Sequence, residues 1–223
     1  MQFFNKIIFF YYREYKLNLG GFQDILTNII FFFLSIFIFI FSIGPDKETI
    51  SNIGVGIVWT LLLLSSTLSL RKFYQDDFES GNLLILHLNG FSFGFIAILK
   101  TLSHFFFVQV PFLISLPIAS ILLNIASDKL IYLFSSFAIG SLILSCLGSI
   151  SSSMNLMNQK NFLLGSVIVM MLSIPVIIFS VGVINFEENF NSLINILFGI
   201  LLIVFAINPW ASGLCLKLSL ENN

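Results

Sequence analysis

The sequence predicts an all-α polytopic membrane protein with six transmembrane helices, an N-terminal interfacial helix and one sizeable cytoplasmic loop between the second and third spans. Three observations carry that prediction. Hydrophobic residues make up 57% of the 223 positions and charged residues 9%, where a soluble domain carries about 25% charged residues, and the mean hydropathy is +1.02. Six runs free of Asp, Glu, Lys and Arg come close to the ~20 residues a bilayer crossing needs. Finally, the Lys and Arg residues fall mostly on one side of those runs.

Residues 1–21 form the first element. Phe4, Ile8, Tyr11, Tyr15 and Leu19 recur at three- to four-residue spacing while Lys6 and Arg13 share the opposite side, the pattern of a helix lying in the membrane surface. A plain lead-in to the first span is the competing reading, and Gly20-Gly21 ends the segment. The first span, about 25–43, lies between Asp24 and Asp46 and stops at Ile43-Gly44-Pro45-Asp46. It is too long and too late for a secretory signal and has no small-residue cleavage site after it. The second, 53–70, runs from behind Glu48 to Arg71, and the third, 101–123, follows Lys100. The fourth (130–154), fifth (162–184) and sixth (193–211) end before Lys160, Glu187 and Lys217 respectively. Pro111, Pro117 and Pro175 predict local bends in the third and fifth spans.

One stretch is ambiguous. Ser80 to Leu99 also lacks charge, but it contains Asn82, His87 and the turn dipeptide Asn89-Gly90, which are unfavourable in lipid. Basic residues collect in cytoplasmic loops, and that rule decides the matter. With six spans and a cytoplasmic N-terminus, Lys6, Arg13, Lys16, Arg71, Lys72, Lys100, Lys160 and Lys217 are inside and only Lys47 and Lys129 outside. A seventh span would reduce that bias of eight to two to one of six to four. Six spans with both termini cytoplasmic follow, and residues 71–90 become the largest loop.

Several functions are excluded. Ten Lys and Arg against eleven Asp and Glu, with no basic block, leave no footprint for nucleic acid. Cys146 and Cys215 stand alone, so neither a zinc ribbon nor a redox pair exists. No Asp, Glu, Lys or Arg other than Lys100, at an edge, touches a predicted span, which leaves no carboxylate or ammonium as the mid-membrane relay of an ion-coupled transporter. There is no P-loop, Gly-x-Ser-x-Gly, intramembrane aspartate pair or His-Glu-x-x-His, so the chain reads as non-catalytic. If it moves something, another subunit supplies the energy.

Three features remain. His104, one turn inside the third span, is a candidate haem or interface contact, weighed against a histidine satisfied by a neighbouring helix, the stronger reading for one His with no partner ligand. Ser141, Ser145, Gly148, Ser149 and Ser152 line one face of the fourth span, a helix-packing surface that buries either against the same chain or against a second copy. In the loop from Arg71 to Gly81, Phe73, Tyr74 and Phe78 are set among Asp76, Asp77 and Glu79. Aromatic anchors with a polar rim suit a docking element; a solvated charge run is the alternative.

An ordered set of short blocks then carries a resemblance. Ile43-Gly44-Pro45-Asp46, Gly56-Ile57-Val58-Trp59, Leu68-Ser69-Leu70, Phe73, Asp77-Phe78-Glu79-Ser80-Gly81, the pair Lys100 and His104, Ile174 to Phe179 through Pro175, and Pro209 follow one another from about Ile25 to Leu218. In this the chain resembles haem exporter protein B, CcmB, the permease subunit of the ATP-binding-cassette system for cytochrome c maturation. Ser80 stands where that family usually has Asp, and Leu88-Asn89-Gly90 replaces a proline-bearing turn. The resemblance implies a bacterial inner-membrane permease whose loop after the second span is a coupling helix, with Phe73, Asp76, Asp77, Phe78, Glu79 and Gly81 engaging an ATPase subunit (CcmA-like) that binds the ATP. It implies a homodimer in a complex with a haem-handling subunit (CcmC-like), a small membrane subunit (CcmD-like) and a haem chaperone (CcmE-like). The chain itself holds no cofactor or metal in this reading, and haem is cargo of the complex. Release of haem-loaded chaperone fits a chain without polar cavity residues better than passage of haem across the bilayer. A permease for a lipid or glycan, and a membrane enzyme or structural protein without transport, are the alternatives.

Overall fold

A computed structural model describes residues 2–20, 22–44, 46–69, 73–157 and 163–221. The expectations placed on Gly21, Pro45, Arg71, Lys72 and Lys160 lie outside these, as do those on the side chains of Phe4 and Leu19. Among the described residues, ten α-helices account for the fold. They are α1 (Gln2–Gly20), α2 (Phe22–Ile43), α3 (Lys47–Ser69), α4 (Gln75–Glu79), α5 (Asn82–Leu88), α6 (Phe93–His104), α7 (Val110–Leu122), α8 (Leu130–Met157), α9 (Leu163–Asn185) and α10 (Phe190–Glu221). Among the described residues, six helical segments are long and apolar enough to cross a membrane: Ile25–Ile43, Lys47–Ser69, Phe93–Leu122, Ser127–Met157, Gly165–Asn185 and Phe190–Glu221.

Local chemistry sets the boundaries. Gly44 ends α2 with φ +87°, a conformation that costs glycine nothing, and its N–H closes onto the Ile40 carbonyl at 3.1 Å. Asp46 caps α3 by accepting from the Glu48 N–H at 3.2 Å and from the Thr49 hydroxyl. These bonds hold the Asp46 carboxyl below its usual pKa, chiefly through Thr49. α6 and α7 make one continuous span joined by a π-helical turn at Phe105–Gln109. It ends next to Pro111, whose missing N–H cannot close an ordinary α-helical bond.

α8 is the central helix. Its buried residues fall on every side, since every position from Ile143 to Ser149 is buried, and it packs against α9 and α10. α2 is peripheral and turns Leu34, Ile38 and Phe41 outward, as a lipid-facing helix does. Glycine allows the closest crossing, where α6 meets α10. A Cβ on Gly94 would lie 2.8 Å from the Pro209 carbonyl oxygen, and one on Gly213 would lie 2.9 Å from the Gly94 nitrogen. Ser141, Ser145, Gly148, Ser149 and Ser152 are all buried within the single chain.

One expectation is corrected. The third span starts at Phe93, not residue 101, with the Ser92 Oγ accepting the Phe95 N–H at 3.3 Å. The ambiguous segment becomes α5, a turn at Asn89 and Gly90 (φ +93°), and the first turns of α6. Lys100 therefore lies two turns inside the span, and a criterion that stops at every charge misplaces the boundary because this charge is neutralised. On α1, the inward face is Phe10 and Glu14, while Ile8 and Tyr15 are exposed. Ile8 and Tyr15 thus form an outward apolar side of the kind a surface-lying helix turns to lipid, while Arg13 and Glu14 are drawn into ion pairs with the bundle.

Gly94→Ala and Gly213→Ala should each destabilise the α6–α10 crossing, by about 1–3 kcal/mol for overpacking. The measurement is thermal unfolding in detergent; an unchanged midpoint for both variants would contradict the close approach.

Candidate functional site

The segment after the second span folds into two short helices. Tyr74, Asp77 and Phe78 stand at i, i+3 and i+4, the spacing of one helical face, and that face points inward. Phe73, Tyr74, Asp77 and Phe78 are all buried, whereas Asp76, Glu79 and Ser80 are exposed. The aromatic residues are therefore core, not outward anchors. They pack with Phe10, Leu83 and Phe91 into a second apolar cluster separate from the main one. Gly81, with φ +72°, makes the corner between α4 and α5, a left-handed turn that a side chain would strain. Within α4, Gln75 donates to Glu79 at 2.6 Å and the Ser80 hydroxyl to the Asp76 carbonyl at 2.6 Å.

Beneath this face lies a ring of four charges. Arg13 donates to Glu14 Oε1 at 3.0 Å through Nη1 and to Asp77 Oδ1 through Nη2. Lys100 donates to Glu14 Oε2 at 3.2 Å and pairs with Asp77 Oδ2. Acids and bases alternate, the net charge is zero, and the ring joins α1, α4 and α6. The side chains of Asp77, Glu14 and Lys100 are 4%, 5% and 9% exposed, and that of Arg13 is 19% exposed, so solvent screens the pairs weakly. Burial alone would raise the Asp77 carboxyl, but the Lys100 ammonium and the Arg13 guanidinium hold it below the usual carboxylate range.

A second network runs from the same place into the bundle. The Tyr74 Oη lies 2.7 Å from Ser149 Oγ, which is 3.1 Å from Ser212 Oγ. Ser212 donates to Asn208 Oδ1 at 2.8 Å, Asn208 Nδ2 donates to Thr101 Oγ1 at 2.8 Å, and Thr101 donates to the Ala97 carbonyl at 2.8 Å. Each hydroxyl has one proton, and the Ser212 proton is committed to Asn208. Ser149 must then donate to Ser212 and Tyr74 to Ser149. Burial pushes the Tyr74 phenol up in pKa, which keeps it the donor that heads this one-way chain through α8, α10 and α6.

His104 is fully engaged. Its Nδ1 lies 3.1 Å from Ser145 Oγ and its Nε2 2.9 Å from Ser69 Oγ. Ser145 donates to the Ser141 carbonyl at 3.0 Å and Ser69 to the Ser66 carbonyl at 2.6 Å, so each serine oxygen is an acceptor toward the ring, and the neutral imidazole, with one N–H, donates to one of them. The Phe73 ring lies 4.8 Å away, tilted by 32°. The two serines flank the two ring nitrogens, and the residue ties α3, α6 and α8 together. Among the described residues, no group of three His, Cys, Asp or Glu side chains is placed to hold a metal ion.

Asp77 of the predicted residues thus meets Arg13, Glu14 and Lys100, while Asp76 and Glu79 stand apart on the outer surface. Sequence reasoning missed Glu14, Thr101, Asn208 and Ser212. Glu14 had a signal: it is the only acid in the first twenty residues, and Lys100 has no charged residue between Glu79 and Asp128 to pair with.

Neutralising one member of the ring, by Asp77→Asn or Lys100→Met, should destabilise by roughly 3 kcal/mol, the cost of an uncompensated buried charge. The double variant should cost less than the sum. Chemical unfolding in detergent measures this, and strict additivity would dismiss the ring. Because the folded pKa of Asp77 is depressed, its contribution should be complete above the unfolded value near ~4. It should be lost only as pH falls further, through the folded value, and Asp77→Asn should remove that part of the acid dependence.

The sequence matches the family described as CcmB protein over residues 5–219. It is 30% identical over 213 residues to the heme exporter protein B of Haemophilus influenzae, covering 94% of this chain and 96% of the relative. The proteins of the same name from Bradyrhizobium diazoefficiens and Paracoccus denitrificans are 28% and 29% identical, covering 92% and 91% of this chain and 93% of each relative. With a match of this length, the charge ring and the six apolar helices sit in a chain that belongs to the CcmB protein family.

Proposed function

We propose that the chain is the permease subunit of an ATP-binding-cassette complex for haem export and cytochrome c maturation, with α4 as its coupling helix for an ATPase partner. Family membership and the name shared by its relatives support the haem-export class. The observation that carries the coupling assignment is Asp77, which fastens α4 to Lys100 of the third span and to Arg13 of α1. A push on α4 reaches those two elements through ion pairs and reaches α8 and α10 through Tyr74. The outer residues Asp76 and Glu79 supply the contact with the ATPase. Phe73, Phe78 and Gly81 keep the segment folded.

The excess of basic residues supports a cytoplasmic position for both termini and α4, with the chain in the inner membrane of a bacterium. A haem-handling subunit, a small membrane subunit, a haem chaperone and a second copy of this chain complete the assembly. Haem-loaded chaperone is released by the stroke rather than haem being carried through this bundle, a reading supported by the burial of His104 between Ser69 and Ser145.

Two measurements test this reading. Asp76→Lys combined with Glu79→Lys should lose the ATPase subunit on co-purification, while Lys100→Met retains it but loses at least ~10-fold of coupled activity, the scale of one severed link of ~1.4 kcal/mol. Retention of the ATPase by the double reversal would remove α4 as the docking element. Haem titrated into the purified chain should give the same Soret spectrum for wild type and His104→Leu; a difference would make His104 a ligand.

A further inference from the structure

The facing sides of α1 and α5 do not close on one another. Between them runs a groove of about 440 Å³, large enough for a ligand of small-molecule size. Its two walls have the same helical spacing. α1 contributes Lys6, Phe9, Phe10 and Arg13, at i, i+3, i+4 and i+7, and α5 contributes Asn82, Ile85, Leu86 and Asn89 at the same intervals, with Phe91 below. Two cations, two amides and an apolar trough line it, and none of its lining residues is acidic.

We propose that this groove binds an anionic phospholipid, its acyl chain along Phe9, Ile85 and Leu86 and its headgroup at the Lys6 ammonium. Position supports a lipid. The groove ends at Phe91, just before the third span, and that span is 30 residues long, or roughly 45 Å of helix against ~30 Å of hydrocarbon. Its first turns therefore stand at headgroup depth, and the groove with them. Charge complementarity supports an anionic one. Arg13 is committed to Glu14 and Asp77, whereas Lys6 makes its bond to the exposed Asn89 carbonyl at 2.8 Å and, with three donors, can accept a phosphate as well. The apolar surface continues outside the trough, with Phe9 69%, Ile85 53% and Leu88 76% exposed. The proposal needs only that the six helices span a bilayer; it does not depend on the cargo or on the ATPase assignment.

The test uses the full chain purified in detergent, with phosphatidylglycerol or phosphatidylcholine added and the retained lipid counted by native mass spectrometry. Wild type should retain phosphatidylglycerol in preference. Lys6→Gln should weaken that retention by roughly fivefold, the effect of one basic residue at an anionic surface, and Lys6→Arg should restore it. Ile85→Asn should reduce retention of both lipids. Equal retention of the two lipids by wild type, or an unchanged preference in Lys6→Gln, would overturn the proposal. So would protection of Ile85→Cys from maleimide by an added protein subunit but not by phosphatidylglycerol, because the groove would then be a protein interface. Far-ultraviolet circular dichroism of each variant separates loss of lipid from loss of fold.

Discussion

The arrangement at the α1 end of the bundle depends on one constraint: two acids and two bases, nearly out of reach of water, have to neutralise one another. A single buried ion pair is a weak stabiliser, because desolvation offsets most of the Coulomb attraction. A closed ring behaves differently once formed, since removing any member strands a charge in low dielectric. Arg13, Glu14, Asp77 and Lys100 come from three separate helices. Their mutual satisfaction is therefore a tertiary condition: α1, α4 and the third span must meet, or Lys100 lies uncompensated two turns inside a membrane helix. The ring specifies the geometry of this end more than it stabilises it.

The hydrogen-bond chain headed by Tyr74 has the complementary role. Apolar surface does not drive helices together in lipid, and small residues and interhelical hydrogen bonds contribute instead. Ser149, Ser212, Asn208 and Thr101 supply such bonds among α8, α10 and α6, next to the close crossing of Gly94 and Gly213. Because donors and acceptors alternate in one direction, no member can turn without leaving a neighbour unsatisfied. Tyr74 immediately precedes α4, so the two networks start three residues apart, at Tyr74 and Asp77, and address different helices.

Much of the fold was legible because lipid imposes a simple rule. Charge-free length located every span, and the turn dipeptide Asn89-Gly90 correctly argued against a seventh. The rule failed at Lys100, for the reason that makes the site interesting: a charge inside a span is readable as such only when its partners are known, and Glu14 and Asp77 are 86 and 23 positions away in the chain. The loop erred in the opposite direction. Aromatic residues among acids were read as outward anchors, although the spacing of Tyr74, Asp77 and Phe78 already described an inward face that includes one of the acids. His104 followed the more ordinary of its two readings, held by serines from two neighbouring helices, one of them in the serine row of the fourth span.

α1 joins these features. Successive side chains of one helix turn through about 100°, so Glu14 can enter the ring while Phe9 and Tyr12 stay exposed. Lys6 and Arg13 are separated by two turns and both border the groove with α5, which places the ring's guanidinium at one end of that groove and the Lys6 ammonium, bonded to the Asn89 carbonyl, at the other. Anything seated there, acting on α1 or on α5, acts on a helix already bound to Asp77 or continuous with it through Gly81. The surface of the protein at this end is thus mechanically close to Lys100, and the third span is coupled to its surroundings by charge on one side of α1 and by apolar contact on the other.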